Sequence, residues 1–340
     1  MDATGQGLNA IGGKTLKIIK GAPSFIGGIL RSPALRYVAK RILLACFTVW
    51  IVITVTFFAM HAVPGGPFFS EKAVSPEVEA ALREKYGLDK PLIVQYGSYL
   101  GDIIKGFDFG PSLKQKGRSV LGIISDGMKT SAALGISAAA IALVVGTLLG
   151  STAALKRGSL ADRLIMVMTT AFVSVPSFIA GTLLLLIFSA YTGWLPATAT
   201  GGGISGLILP VATLSLYPTA YITRLTRASM LDTLGKDYIR TARAKGLSEG
   251  KIIFRHALKN SLIPVITYFG PMLAGIVTGS LVVERIFAVP GIGRDFVGSI
   301  TGRDYPLIMG TTIILSMLVV FMNTLADFLY RALDPRITLE

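Results

Sequence analysis

Charge is missing from two long stretches of this chain, the 26 residues between Lys129 and Lys156 and the 60 between Arg163 and Arg224. About 20 apolar residues cross a bilayer as a helix, so the longer stretch holds two spans joined by a turn, which the polar and glycine residues place at Thr192 to Ser205. Three further low-charge runs follow the same logic: Ile42 to Val63, Asn260 to Val283 and Tyr305 to Ala326. The pattern predicts an all-α membrane protein with six transmembrane helices. Two longer polar segments interrupt it, residues 64–129 after the first helix and residues 224–259 between the fourth and fifth. In the former, Pro76 opens a helical pattern through Val78, Ala81, Leu82 and Tyr86 that Gly87 ends, and a second helix is predicted from Leu92 to Ile104.

Composition changes little in this picture: 52% apolar residues, 15% charged residues and a mean hydropathy of +0.64 over 340 residues fit one membrane domain. The first apolar run follows some 40 basic and glycine-rich residues and lacks a small-residue cleavage site, so it reads as span one and not as a secretory signal. The single cysteine, Cys46, lies inside that span and has no internal disulfide partner. Charge fixes the expected orientation, because loops rich in Lys and Arg stay cytoplasmic. With both termini inside, the inner segments carry 21 basic and eight acidic residues, +13 of the net +14, and the outer segments carry 12 and 11. That asymmetry accounts for the basic character without nucleic acid, for which no basic patch is interleaved with stacking aromatics. Residues 1–35 are expected to be a cytoplasmic arm on the inner membrane surface, and residues 36–340 the transmembrane domain.

The predicted spans hold prolines (Pro176, Pro210, Pro218, Pro264, Pro271), which kink helices, and two small-residue pairs, Gly146 with Gly150 and Gly275 with Gly279, which let helices approach closely; both suit a bundle that moves. They hold few ionisable groups. A proton- or sodium-coupled carrier keeps Asp, Glu or His within the membrane, and spans two to six have none; His61, Glu284 and Asp327 read as boundary residues anchoring helix ends. No power source is legible either. The stretch Gly7 to Thr15 imitates a phosphate-binding loop with its spacing off by one and without a preceding strand, and no catalytic motif of a hydrolase or metalloenzyme is present. The chain is expected to be no enzyme and to hold no cofactor or metal.

The segment from Arg224 to Lys259 is the most informative polar one. Asp237 to Lys245 reads as helix, Gly246 as its left-handed stop, and Ser248 with Glu249 as a restart, which together make a helix-turn-helix elbow. Lys236, Arg240 and Arg243 share one face of the first helix, and Lys251, Arg255 and Lys259 one face of the second, with Ile252, Ile253, Ala257 and Leu258 opposite.

At these residues the chain resembles a known family. Tyr238-Ile-Arg-Thr-Ala-Arg-Ala-Lys-Gly-Leu247 followed by Arg255-His-Ala-Leu-Lys-Asn-Ser-Leu-Ile-Pro264 is similar to the signature loop of inner-membrane permease subunits of ATP-binding cassette importers, in the dipeptide and oligopeptide branch. Lys40-Arg41-Ile-Leu-Leu, Pro64-Gly-Gly-Pro67, Leu82-Arg-Glu-Lys-Tyr-Gly-Leu-Asp-Lys-Pro91 with Gln95-Tyr96, and Asp108-Phe-Gly-Pro-Ser112 agree with that branch. So do Glu284-Arg-Ile-Phe-Ala-Val-Pro-Gly-Ile-Gly293, Arg303-Asp-Tyr-Pro306 and Leu333-Asp-Pro-Arg336. The resemblance runs from about residue 35 to the end and is to the first of two permease subunits. Arg240-Thr241-Ala242 stands where the broader family has Glu-Ala-Ala, and Gly66 where the branch often has Asp.

The resemblance implies a homologous second permease, two cytoplasmic ATP-binding cassette ATPases and an external substrate-binding protein as partners, in the inner membrane. It implies that Arg240, Thr241, Ala242, Arg243, Ala244, Lys245, Gly246 and Leu247 form a coupling helix seated on an ATPase. Relatives handling nickel complexes, glutathione or sugars share these motifs, so peptide is the expected substrate with those as alternatives, and an ion-coupled carrier is the competing class.

Overall fold

The computed structural model describes residues 33–68, 77, 80–81, 84, 87–200, 203–277 and 280–333. Most of the predicted basic arm and much of the predicted helix after Pro76 lie outside them. Contacts divide the chain into two units, residues 1–51 with 338–340 and residues 52–337. Of the first, the described part is the leading portion of helix α1 (Pro33–Ala62), an apolar helix with Leu43, Phe47 and Trp50 exposed. The second unit contains the rest.

In the second unit, α2 (Leu92–Gly106) lies in the segment after the first span, close to the bounds that its apolar spacing predicts. It packs on the end of α1 through Tyr96, whose hydroxyl shares a hydrogen bond of 2.7 Å with Thr54 and whose ring lies 5.3 Å from Phe57. Helix α3 (Val120–Leu155) starts ten residues before the apolar run does. Ser119 caps it by accepting from the Gly122 N–H at 3.1 Å, and Val120, Ile123, Ile124 and Gly127 bury one face while Asp126 and Lys129 stay outside. Capping and amphipathicity extend the helix where charge counting ends it.

The third predicted span is not one straight helix. It is broken into α4 (Leu160–Ser174) and α5 (Ser177–Leu185), which continues as a π-helical turn (Leu186–Tyr191), with a bend of 106° at the break. Val175 and Pro176 supply the cause: proline cannot donate to the helix ladder and drives the residue before it to extended backbone, and Val175 has ψ 121°. Among the described residues five helices are long and apolar enough to cross a membrane, and six spans result if this bent pair counts as one.

Helix α6 (Ser205–Leu234) begins where the predicted turn ends and contains Pro210 and Pro218. It also overruns its predicted limit at Arg224, because Thr226, Met230 and Thr233 continue its buried face for another ten residues. Helices α3 and α6 form the central pair. Gly146 and Gly150 make this possible, since a Cβ on Gly146 would lie 2.8 Å from Ile222 and one on Gly150 2.5 Å from the Thr223 carbonyl. The second predicted pair does not behave alike: a Cβ on Gly275 would meet nothing within 4 Å, and Gly279 lies outside the described residues.

The remaining elements are α7 (Asp237–Ala244), α8 (Glu249–Lys251), a π-helical turn (Ile252–Ala257), α9 (Leu258–Ser261), α10 (Ile263–Val277), α11 (Leu281–Ile286), α12 (Ile292–Gly302) and α13 (Tyr305–Leu333). No strand occurs among the described residues. Within the second unit the helices form a bundle, with the elbow at the end of α3 near Ala154 and α12 at its start near Gly127.

Candidate functional site

The elbow is held by a small apolar cluster that joins it to the two central helices. Ile239 and Ala242 of α7 are buried with Ile252 and Ala257 of the π-helical turn, Met230 of α6 and Ala154 of α3, and Leu247 packs against them. Burying one fully enclosed Ile or Met is worth about 1.5–3 kcal/mol, so several such contacts fasten α7 to the bundle rather than leaving it a solvated loop. The turn is closed by backbone. Gly246 has φ +75°, its N–H donates to the Arg243 carbonyl at 2.9 Å, and the Leu247 N–H donates to the Ala242 carbonyl at 3.3 Å. This is the paired bonding of a Schellman C-cap, completed by the apolar contact of Leu247 with the helix it ends. The left-handed stop read at Gly246 is where the sequence places it.

Of the eight residues expected to couple, Arg240, Thr241, Arg243, Ala244, Lys245 and Gly246 are exposed. Ala242 is buried and Leu247 half-buried, so these two hold the elbow from inside and offer little to a partner. Arg243 reaches across the turn to Glu249, Nε to Oε1 at 2.8 Å, and its guanidinium holds the Glu249 carboxyl below the usual carboxylate range. Arg240 pairs with Asp237 at 3.3 Å, and Asn260 donates to the Tyr238 hydroxyl at 3.0 Å. The opposed faces predicted for the second helix hold as well: Ile252 and Ala257 are buried, while Lys251, Arg255 and Lys259 are exposed. Beside the elbow, Arg227 of α6 makes a bidentate pair with Asp162 of α4 at 2.7 and 2.8 Å, and the Gly158 N–H donates to the same carboxylate at 2.9 Å. No property of the sequence pattern pairs these two residues, which lie in different segments.

At the opposite end the structure brings together motifs that are far apart in sequence. Asp304 is buried and accepts from Ser112 Oγ, from the N–H of Leu113 at 3.1 Å and from that of Lys114 at 3.3 Å. Its neighbour Arg303 donates to the carbonyls of Pro64 at 2.8 Å and Gly65 at 2.5 Å. Gly65, with φ +87°, leaves the space that the guanidinium occupies. The segments Pro64–Pro67, Asp108–Ser112 and Arg303–Pro306 thus form one assembly.

Glu284 corrects an expectation. Read from sequence as a boundary anchor, it is fully buried, accepting from Ser131 Oγ of α3 at 2.7 Å and from the Arg294 N–H at 3.1 Å. Ser131 in turn accepts from the Ile292 N–H at 3.0 Å. Gly291 and Gly293 pack so closely on this carboxylate that neither has room for a side chain, which is the signal the sequence held in Glu284-Arg-Ile-Phe-Ala-Val-Pro-Gly-Ile-Gly293. His61 is partly buried, its ring 5.1 Å from that of Tyr305; the Asp327 side chain lies outside the described part.

Comparison with known proteins places the chain in a family. Residues 146–339 match the family described as the binding-protein-dependent transport system inner membrane component, and residues 34–129 match its N-terminal counterpart. The chain is 45% identical over 304 residues to the oligopeptide transport system permease protein OppB of Haemophilus influenzae, covering 89% of this chain and 99% of that protein. It is 46% identical over 305 residues to the dipeptide transport system permease protein DppB of Bacillus subtilis, covering 90% and 98%. A solved inward-facing structure of the MetNI methionine ABC transporter matches with a TM-score of 0.52 at 18% identity, over 62% of this chain and 96% of that one, which supports the fold. With an elbow closed on a bundle of membrane-crossing helices and a family match over most of its length, the chain belongs to the inner-membrane permease components of binding-protein-dependent transport systems, alongside the oligopeptide and dipeptide permeases.

Proposed function

We propose that this chain is one of two permease subunits of an ATP-driven importer that carries di- and oligopeptides across the cytoplasmic membrane by alternating access. The observation that carries the reading is the elbow: a short helix fixed to the two central helices by a buried cluster, with a basic, exposed outer face. A rigid element on the cytoplasmic ends of spans converts a partner's movement into a movement of those spans. Arg240, Arg243, Lys245 and Gly246 are the contacts to a cytoplasmic ATPase, and Ala242 and Leu247 keep them in place. The other partners are a homologous second permease, a second ATPase and an external binding protein, which docks at the face around residues 64–129. Both termini and the elbow lie in the cytoplasm, and residues 1–35 lie along the inner membrane surface. Peptide is the cargo because the oligopeptide and dipeptide permeases match over nearly their whole length.

Reconstitution tests this. The isolated chain in liposomes neither hydrolyses ATP nor accumulates a labelled tripeptide under a proton or sodium gradient. Co-reconstituted with its second permease, two ATPases and a peptide-binding protein, it supports ATP-dependent uptake. Gradient-driven accumulation by the chain alone would establish an ion-coupled carrier instead.

A further inference from the structure

Two of the long helices show exposed stripes of opposite character at one depth. On α3 the exposed positions around the Gly146 contact are Ile141, Val144, Val145 and Leu148, all aliphatic, as a lipid-facing surface is. On α6 the exposed positions at the same level are Tyr217 and Tyr221, and Arg224 and Ala228 continue their face toward the elbow, at spacings of four, three and four residues. The depth is common to both because Gly146 abuts Thr219 and Ile222, and Gly150 abuts Thr223 and Thr226. At about 1.5 Å per residue, Tyr217 lies roughly 18 Å along α6 and about 10 Å before Arg224, where the charge-free run ends, and Tyr221 lies one turn closer to that limit. Asp232 continues this stripe toward the elbow.

The tyrosines are also organised. Tyr221 stacks on Tyr268 of α10 with ring centroids 4.2 Å apart and an angle of 29°, and Tyr217 follows at 6.4 Å from Tyr221. Tyr217 is 48% exposed and Tyr221 40%. Next to Tyr217 opens a cavity of about 540 Å³, walled by Val175 and Pro176 at the helix break and by Leu214 and Ile276. Polar and charged groups at membrane depth face protein or a water-filled route, and most of α6 is already enclosed by its own bundle.

We propose that Tyr217, Tyr221 and Tyr268 form a wall of the translocation route and contact the peptide in transit, an assignment that rests on the peptide-importer reading above. The chemistry suits a cargo of variable sequence: each ring offers a face to any side chain, and each hydroxyl donates to or accepts from a peptide amide. Because the ladder bridges α6 and α10, and α10 follows directly from the elbow through α9, a displacement of the elbow separates Tyr221 from Tyr268 and remodels the wall.

The test uses the complete complex in lipid nanodiscs, with Cys46→Ser in this chain and cysteine-free partners. That parent complex, in liposomes, must take up labelled tripeptide with ATP; failure there overturns the importer reading itself. In a transporting background, Tyr221→Cys and Tyr217→Cys are exposed to a positively charged, water-soluble methanethiosulfonate, with Val144→Cys as the aliphatic-stripe control. The expected result is labelling of Tyr221→Cys and Tyr217→Cys at rates that differ between the nucleotide-free and ATP-trapped states and fall when tripeptide-loaded binding protein is present, while Val144→Cys stays unlabelled. Lack of labelling of both stripe positions in both states, or rates insensitive to nucleotide and cargo, overturns the wall. Should Tyr221→Cys fail to assemble, the labelling of Tyr217→Cys alone separates the same two outcomes.

Discussion

Gly246 is the residue on which the elbow turns, and its role is conformational. No atom lies within 4 Å of where its Cβ would be, so a larger side chain meets no obstacle, and the cost of substitution comes only from φ +75°. A β-branched residue there costs on the order of 1–2 kcal/mol, whereas asparagine enters the left-handed region more easily. Gly246→Val should therefore leave membrane insertion intact and abolish ATPase attachment or peptide-stimulated ATP hydrolysis in the assembled complex, and Gly246→Asn should retain most of both. Equal activity of the two variants would show that the turn does not position the coupling face. Glycine punctuating a helix was readable from the chain; the inward burial of Ala242 was not, because it depends on Met230 and Ala154 of other helices.

At the scale of elements, the assembly around Asp304 shows how short motifs acquire a common role. Its carboxylate gathers Ser112 and the backbone of the next two residues, 192 to 190 positions away, while Arg303 holds Pro64 and Gly65. Each buried donor left without an acceptor costs about 1–3 kcal/mol. Asp304→Ala should lower the thermal unfolding midpoint of the purified complex and expose the Ser112 to Arg118 loop to protease, and Asp304→Asn, which keeps one acceptor oxygen, should fall between it and the parent. An unchanged midpoint with normal protease resistance in Asp304→Ala would mean that the loop is held by other contacts. The neighbouring residues Arg303-Asp-Tyr-Pro306 and Asp108-Phe-Gly-Pro-Ser112 stood out in the sequence separately, and only the chain's return path joins them.

For the whole molecule, orientation is the property that charge alone predicts and that the bundle makes testable. In a Cys46→Ser background, a cysteine replacing Lys116 should react with an impermeant thiol reagent added to intact cells, and one replacing Ser248 should react only after permeabilisation; both positions are exposed. The reverse pattern would invert the topology and remove the elbow from the reach of any cytoplasmic ATPase.

What the sequence determined by itself was the helical class, the number of apolar runs, the elbow with its stop at Gly246 and the basic face. All of these rest on local rules. A segment in hydrocarbon must satisfy its own backbone hydrogen bonds, which forces a helix wherever some twenty apolar residues run together, and a left-handed turn favours glycine whatever surrounds it. Tertiary structure decided the rest. The 106° break at Val175 and Pro176, the burial of Glu284 against Ser131 across 153 positions, and the pairing of Asp162 with Arg227 each depend on which distant surfaces meet. So does the tyrosine stripe. A tyrosine in an apolar run reads as one more large side chain, and only the packing of α6 against α3 and α10 shows that Tyr217 and Tyr221 are left partly exposed at the level where α3 exposes aliphatic residues.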